Sequence, residues 1–475
     1  MKKLTIRRFV RGVILLGWGI GCLLQASISY ANNVAVSNVQ LLMPDTTEGT
    51  VEVSFTLSQD NPFGDLTYDS KTYSDYIWVF VKYTVVPVDE TAGYKHASLI
   101  SGSGCVTPTS DGKGAFIKAS DAGVSPGNTF SLLWNFTVDG IAIDKTVNVK
   151  VCAIEMVKIP IGSFYYNVSA IGGSTYNNYG AGSEVLVSAT SHVPTGASSG
   201  WPNGYSSFYI MKYEVSQGQY ADFLNMLKAT DASARFGSYT DYEHTITYTS
   251  GSAYGLRYAA SKPARASAYL SWDDARAYAS WAALRPMTEM EFEKAARGTS
   301  SGAFYKAIYP WGSDNPDTGN VLYCPLGHVS PYDAYKYYAN YYDSSSNTNT
   351  YDGPTNVGNY LAGNVESPVV TRTTAQTGVS PYGVADLAGN VWEHMINCAQ
   401  NSGTTVLTPA NGDGALHSSY LTDLNWSDAA LGKGLRGGSW NSGSSILRVS
   451  GRSNARWSST DRDYAVGFRA VRTIE

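Results

Sequence analysis

The stretch Arg285-Pro286-Met287-Thr288-Glu289-Met290-Glu291-Phe292-Glu293-Lys294-Ala295-Ala296-Arg297-Gly298 reads as one short helix with both of its ends written into it. Thr288 and Glu291 stand at the spacing of a capping box, in which each side chain satisfies a backbone N–H at the helix start. Phe292, Ala295 and Ala296 then face inward together, and Gly298 supplies the left-handed residue on which many helices end. Upstream, Ser271 with Asp274 predicts a second helix with a weaker apolar stripe of Ala275, Tyr278, Ala279 and Ala282. Ser216 with Gln219 predicts another, carrying Tyr220, Phe223, Leu224 and Leu227 on one face. Downstream of Gly298 the chain turns to Gly, Asn, Ser and Tyr, and long irregular stretches of this kind are functional or need an ordering ion or cross-links.

The segment before these helices has a different period. Val51, Val53, Phe55 and Leu57 alternate with polar residues, and Tyr76 to Tyr83 is a dense β-prone run. Further strands are expected at Phe130 to Val138 and Thr146 to Ile154, with turn-rich stretches between. No helical periodicity interrupts them, so residues 32–150 are expected to form an antiparallel β-sandwich. Residues 1–31 carry Lys2, Lys3, Arg7, Arg8 and Arg11, an apolar run from Val13 to Leu24, and the small-residue ending Ser29-Tyr30-Ala31. That is the pattern of a cleaved signal peptide, and it places the mature chain outside the cytoplasm as a periplasmic, cell-surface or secreted protein. No later segment has the run of about 20 apolar residues a membrane span requires.

The whole chain has 475 residues, of which 43% are apolar, enough to fill two cores after a leader. Its 34 basic and 39 acidic residues give a net charge of −5 with no basic cluster beyond the leader, which argues against nucleic acid as a partner. Behind the leader stand Cys105, Cys152, Cys324 and Cys398, for which either disulfides or buried thiols are open.

The helices sit inside an ordered series of fragments: Met156 to Phe164, Met211 to Ser216, Ser271 to Ala275, Arg285 to Gly298, Tyr309 to Gly312, Asp386 to Glu393, Arg436 to Trp440 and Gly467 to Arg469. Together they resemble the formylglycine-generating-enzyme, or sulfatase-modifying-factor, domain. The resemblance implies an α+β chain in which the β-sandwich is followed, over residues 151–475, by a variant of the C-type lectin fold.

One departure from the family pattern bears on function. Active members of that family carry a close cysteine pair between the Gly-Gly-Ser element and the final Gly-Phe-Arg, which binds copper(I) and oxidises a substrate cysteine. Here Ser442 and Leu447 fall near those places, and the stretch from Asn441 to Arg448 holds no cysteine. Soft thiolates select copper(I), so copper is not expected and no catalytic residue is assigned. The six histidines are scattered, which argues against an iron-dependent relative of the same family.

Calcium is the ion the resemblance implies, and hard oxygen ligands are what calcium takes. One set of ligands would be Asp386 and Glu393 with the carbonyls of Gly389 and Val391; the other, Asn340 and Asp352 with the carbonyls of Tyr341 and Pro354. Trp311, Trp392 and Trp440 are expected in the core, and Arg436, Arg448 and Arg469 in internal hydrogen bonds to loop carbonyls. Between Trp440 and Tyr464 small polar residues alternate with framework positions, as in the variable region of retroelement-diversified ligand-binding proteins. A degenerate enzyme loop drifting towards small polar residues would look the same. The candidate ligand-binding residues there are Asn441, Ser442, Ser444, Ser445, Leu447, Ser458, Ser459, Thr460, Asp461 and Tyr464. The functions in play are thus an exported or surface protein that binds a protein or surface ligand, a formylglycine-generating oxidase, and a purely structural surface protein.

Overall fold

A computed structural model describes residues 3–5, 34–59, 66–68, 71–122, 127–167, 184–194, 197, 200–299, 308–312, 339–342, 353–358, 378–398, 410–416, 426, 433–455, 457 and 460–474. Of the expected leader, only the short Lys3–Thr5 strand falls among them, paired with the start of the Thr146–Ile159 strand. Asp352, Ser458, Ser459 and Cys324 lie outside the described residues. The protein is rich in sheet and poor in helix. Among the described residues no helix is long and apolar enough to cross a membrane.

The Asp75–Val85 strand explains why the run from Tyr76 to Val81 is apolar without a break. Its alternate residues Ile77, Val79, Val81 and Tyr83 enter one core, shared with Val53, Phe55 and Leu57 of the Thr50–Ser58 strand and with Leu132 and Trp134. Trp78 and Phe80 enter a second core, with Tyr220, Phe223, Tyr278 and Trp281 of the helices. A strand covered on both faces has no polar side to alternate with, and each fully buried aromatic or branched side chain contributes about 1.5–3 kcal/mol of transfer free energy.

This strand belongs to an eight-stranded sheet whose main path runs Arg285–Pro286, Ala470–Thr473, Phe208–Met211, Thr146–Ile159, Asp75–Val85 and Lys95–His96. On the side of the first core stands a four-stranded sheet of Ala35–Asp45, Thr50–Ser58, Asn128–Asn135 and Leu99–Ile100. The segments expected as separate strands, Thr146 to Ile154 and the run opening at Met156, are one 14-residue strand that ends before Pro160. It passes through residue 150 without interruption, so the two parts of the chain share one sheet. The strand expected to reach Val138 stops at Asn135, whose side-chain oxygen accepts from the Val138 N–H and turns the chain.

All three expected helices are present: Gln217–Met226, Trp272–Trp281 and Glu289–Arg297. Each opens with a complete capping box, at Ser216/Gln219, Ser271/Asp274 and Thr288/Glu291, and the third ends on Gly298 at φ 70°. Two more were not expected: a single turn at Ala119–Ala122, and Ala229–Arg235, which follows Lys228 without any side-chain cap.

Candidate functional site

The three-stranded sheet of Lys433–Arg436, Trp392–Ile396 and Val466–Gly467 draws the downstream fragments together. Glu393 lies opposite Arg436 on one side and Gly467 on the other. Just outside it, the two glycine-rich loops are tied to each other: the Gly389 N–H donates to the Gly437 carbonyl at 2.9 Å, and the Trp440 N–H to the Asn390 carbonyl at 2.9 Å. Asn390 in turn donates its N–H to the Asn340 carbonyl at 2.8 Å. Gly389 is required at this crossing, because a Cβ there would meet the Asn340 carbonyl oxygen at 2.2 Å and φ is +80°. Asp386 and Asn390 also take left-handed conformations, which short polar side chains tolerate best.

Asp386 and Glu393 come together, in company the sequence reading did not include. Glu393 lies 2.7 Å from the Arg469 guanidinium, which also donates to the carbonyls of Lys212 and Asp386 at 3.0 Å each. Glu214, just before the cap of the first helix, is buried in the same group. Asp386 accepts from the Gly358 N–H at 2.5 Å. Burial raises the carboxyls of Asp386, Glu214 and Glu393, the last to about 7, while Arg469 opposes the shift in all three. The Glu214 carboxyl lies against that of Asp386 and lowers it, as a protonated neighbour donating a hydrogen bond does. Burial of this depth favours the protonated form of such groups over bare carboxylates.

Of the second expected oxygen cluster, Asn340, Tyr341 and Pro354 are among the described residues. Asn340 donates to the Gly353 carbonyl at 3.3 Å and the Asn390 side chain at 3.4 Å, and the Pro354 carbonyl accepts from Arg265 at 2.5 Å. Tyr341 is half-buried beside them. Among the described residues no three His, Cys, Asp or Glu side chains are gathered so as to hold a metal by themselves.

The candidate binding residues divide by exposure. Asn441, Ser445, Thr460 and Asp461 are exposed, and Ser444 and Tyr464 half-buried. Ser442 and Leu447 are buried: the Ser442 hydroxyl accepts from the Ser439 N–H and lies 3.0 Å from the Ser439 hydroxyl, and Leu447 joins a core with Tyr309 and Trp311. These two residues therefore act from beneath the surface, and a ligand on it would touch their neighbours. Asn441 donates to the Tyr464 hydroxyl at 3.1 Å. The Tyr464 ring stacks on Tyr242 at 4.5 Å and sits 5.8 Å from Trp440. Tyr242 was not legible as part of this group, since it lies some 200 residues upstream in a loop; its only local mark is a left-handed φ of 46°, invisible in sequence.

Trp311, Trp392 and Trp440 are all buried. Arg436 reaches the Val449 carbonyl and also pairs with Glu289 at 2.6 Å and Glu293 at 3.2 Å, so it holds the third helix as well as a loop. Arg448 is half-buried over the Tyr309 ring. Cys398 is buried, its N–H donates to Glu289 at 3.0 Å, and burial pushes its thiol well above the usual range. No two of Cys105, Cys152 and Cys398 are bonded to each other.

Fold and site together define a sheet-rich domain whose glycine loops are zipped over a buried ionic cluster. The chain belongs to the sulfatase-modifying factor enzyme 1-like domain family, whose pattern matches residues 146–474. It is 31% identical over 125 residues to the inactive C-alpha-formylglycine-generating enzyme 2 of Bos taurus, covering 26% of this chain and 30% of that protein. It is 50% identical over 46 residues to the formylglycine-generating enzyme of Thermomonospora curvata, covering 10% of this chain and 14% of that one. The chain thus spans less than a third of the length of either relative. Among solved structures, Treponema denticola variable protein 1 aligns with 16% identity and a TM-score of 0.34, over 68% of this chain and 96% of that one.

Proposed function

We propose that this is an exported binding protein, periplasmic, cell-surface or secreted, built on a sulfatase-modifying-factor domain that lacks the oxidase chemistry. In this reading the N-terminal strands form an antiparallel β-sandwich and the remainder a C-type lectin-like fold. The observation that carries it is the pair Ser442 and Leu447, a hydrogen-bonded hydroxyl and a packed aliphatic side chain at the places where the family resemblance puts two copper-binding cysteines. Neither offers a thiolate, and the buried Cys398 has no second cysteine bonded to it among the described residues. The binding surface is then the exposed set Asn441, Ser445, Thr460 and Asp461 with Tyr464, carried on a framework whose tryptophans are buried. Its partner is a protein or surface ligand.

Calcium is the ion proposed for the first oxygen cluster. Asp386 and Glu393, losing their protons on binding, would supply hard oxygen ligands, with the carbonyls of Gly389 and Val391 completing the set that the family resemblance implies. The ion would supply ordering of the glycine loops, since their small polar residues offer little apolar surface. Titration calorimetry with calcium chloride tests this part: heat of binding that disappears in Asp386→Ala supports it, and a flat titration of the parent removes it.

A further inference from the structure

A cleft of about 220 Å³ opens between the Ala229–Arg235 helix and the hairpin of Ile246–Tyr248 and Tyr258–Ala260, on elements that take no part in the ionic cluster. Its walls are the rings of Phe236, Tyr248, Tyr254 and Tyr258, with Ser233 and Arg257 among them. Two of the exposed large apolar side chains of the molecule stand on this one hairpin, Tyr248 at 47% and Leu256 at 45%. Exposed apolar surface gathered beside a concavity is a mark of binding.

The chemistry of the walls narrows the occupant. Arg257 is held by Glu90 through two bonds of 2.9 and 2.6 Å, so the cleft carries no free charge to select an anion or a cation. An entirely apolar occupant would strip water from Ser233 and from the Arg257–Glu90 pair without replacing its hydrogen bonds, which is costly. The volume lies below the roughly 300 Å³ at which pockets for drug-sized ligands begin, so it suits a single ring and not an extended peptide. A hydroxylated saturated ring meets all three conditions, because its C–H face packs on an aromatic ring while its hydroxyls point to the polar edge. We propose that this cleft binds one pyranose ring of a carbohydrate, stacked on Tyr248 with its hydroxyls towards Ser233 and the Arg257–Glu90 pair.

The test is saturation-transfer NMR on the full chain with the methyl glycosides of glucose, galactose, mannose and N-acetylglucosamine. So small a ligand should bind at least one way in the millimolar range. Tyr248→Ala should weaken that binding roughly tenfold through loss of the stacked ring, while Tyr248→Phe retains the ring and most of the affinity. Both variants should melt as the parent does, because the side chain is half outside. No transfer to any of the four glycosides overturns the proposal, as does binding that persists unchanged in Tyr248→Ala. A proline-rich peptide that binds in a Tyr248-dependent way, where the glycosides do not, would assign the cleft to a different class of ligand.

Discussion

Lys82 donates its ammonium to the carbonyl of Trp281 at 2.6 Å, and in doing so joins a strand of the first 150 residues to the end of a helix in the last 325. It is not alone there. Trp78 donates its indole N–H to the Ala282 carbonyl at 2.9 Å, and Arg472 reaches the Ala283 carbonyl. Three side chains from one sheet thus cap three successive carbonyls at the helix C-terminus, where backbone acceptors have no partner of their own. Lys82 also donates to the Gly414 carbonyl at 2.6 Å. Replacing it by methionine leaves both acceptors unpaired, and Lys82→Met is expected to cost about 1–3 kcal/mol in denaturant unfolding. A change within error would mean that the contact adds nothing to stability.

The same sheet predicts that the parts are not separable at residue 150. A fragment of residues 151–475 loses Trp78 and Phe80 from the helix-bearing core and the partner strand of Val151 to Val157. It should be collapsed without fixed packing, seen as retained far-ultraviolet and lost near-ultraviolet circular dichroism. A fragment with a sharp native melting transition would contradict the shared-sheet account.

Glu155 gives a pH signature. It is buried beside Lys212 and Asp75 and accepts from Gln59, and burial pushes its carboxyl up from an ordinary 4.5 to about 8. A group raised in the folded state binds protons there that the unfolded chain has released, so its contribution is fully present below 4.5 and lost as pH rises through about 8. The melting temperature of the parent should therefore fall more steeply across that window than that of Glu155→Gln, which mimics the protonated form. Parallel profiles would show that the carboxyl is ionised throughout.

Frame and surface should separate on mutation. Alanine at Asn441, Ser445, Thr460 or Asp461 removes exposed side chains and should change stability by no more than about 0.5 kcal/mol each. Trp440→Ala empties a buried site packed against Tyr242 and Tyr464 and should cost about 3–5 kcal/mol. Comparable losses at the polar positions would place them in the framework.

The helices were legible because each carries its own punctuation: Ser216, Ser271 and Thr288 each have a partner three residues on. The Ala229–Arg235 helix was not, since Lys228 offers no capping side chain and the helix is held by its packing. The run from Tyr76 to Tyr83 announced a buried strand, but period alone could not say that both of its faces are covered by different parts of the chain. At the site, Asp386 and Glu393 were found through their fragment. Glu214 had a signal of its own, an acid set between Tyr213 and Val215 directly before the helix cap. What joins it to Arg469 across some 250 residues is tertiary contact, which no local pattern records.

Calcium should stabilise the native chain only, since only the folded state assembles Asp386, Glu393 and the loop carbonyls. An ion at about a hundred times its dissociation constant adds roughly 2.7 kcal/mol by mass action. Melting should therefore move up with calcium, down with a chelator, and respond less to both in Glu393→Gln. Identical melting in calcium and chelator dismisses the ion.

The central claim is that the domain recognises without oxidising, and mass spectrometry of a sulfatase-type cysteine peptide incubated in air with the copper-loaded chain tests it most directly. The account predicts a peptide whose cysteine is unchanged, because Ser442 and Leu447 offer copper no thiolate. Formation of the formylglycine aldehyde by the parent, and its loss in Cys398→Ser, would contradict the account and place a working thiol where the structure shows a buried one.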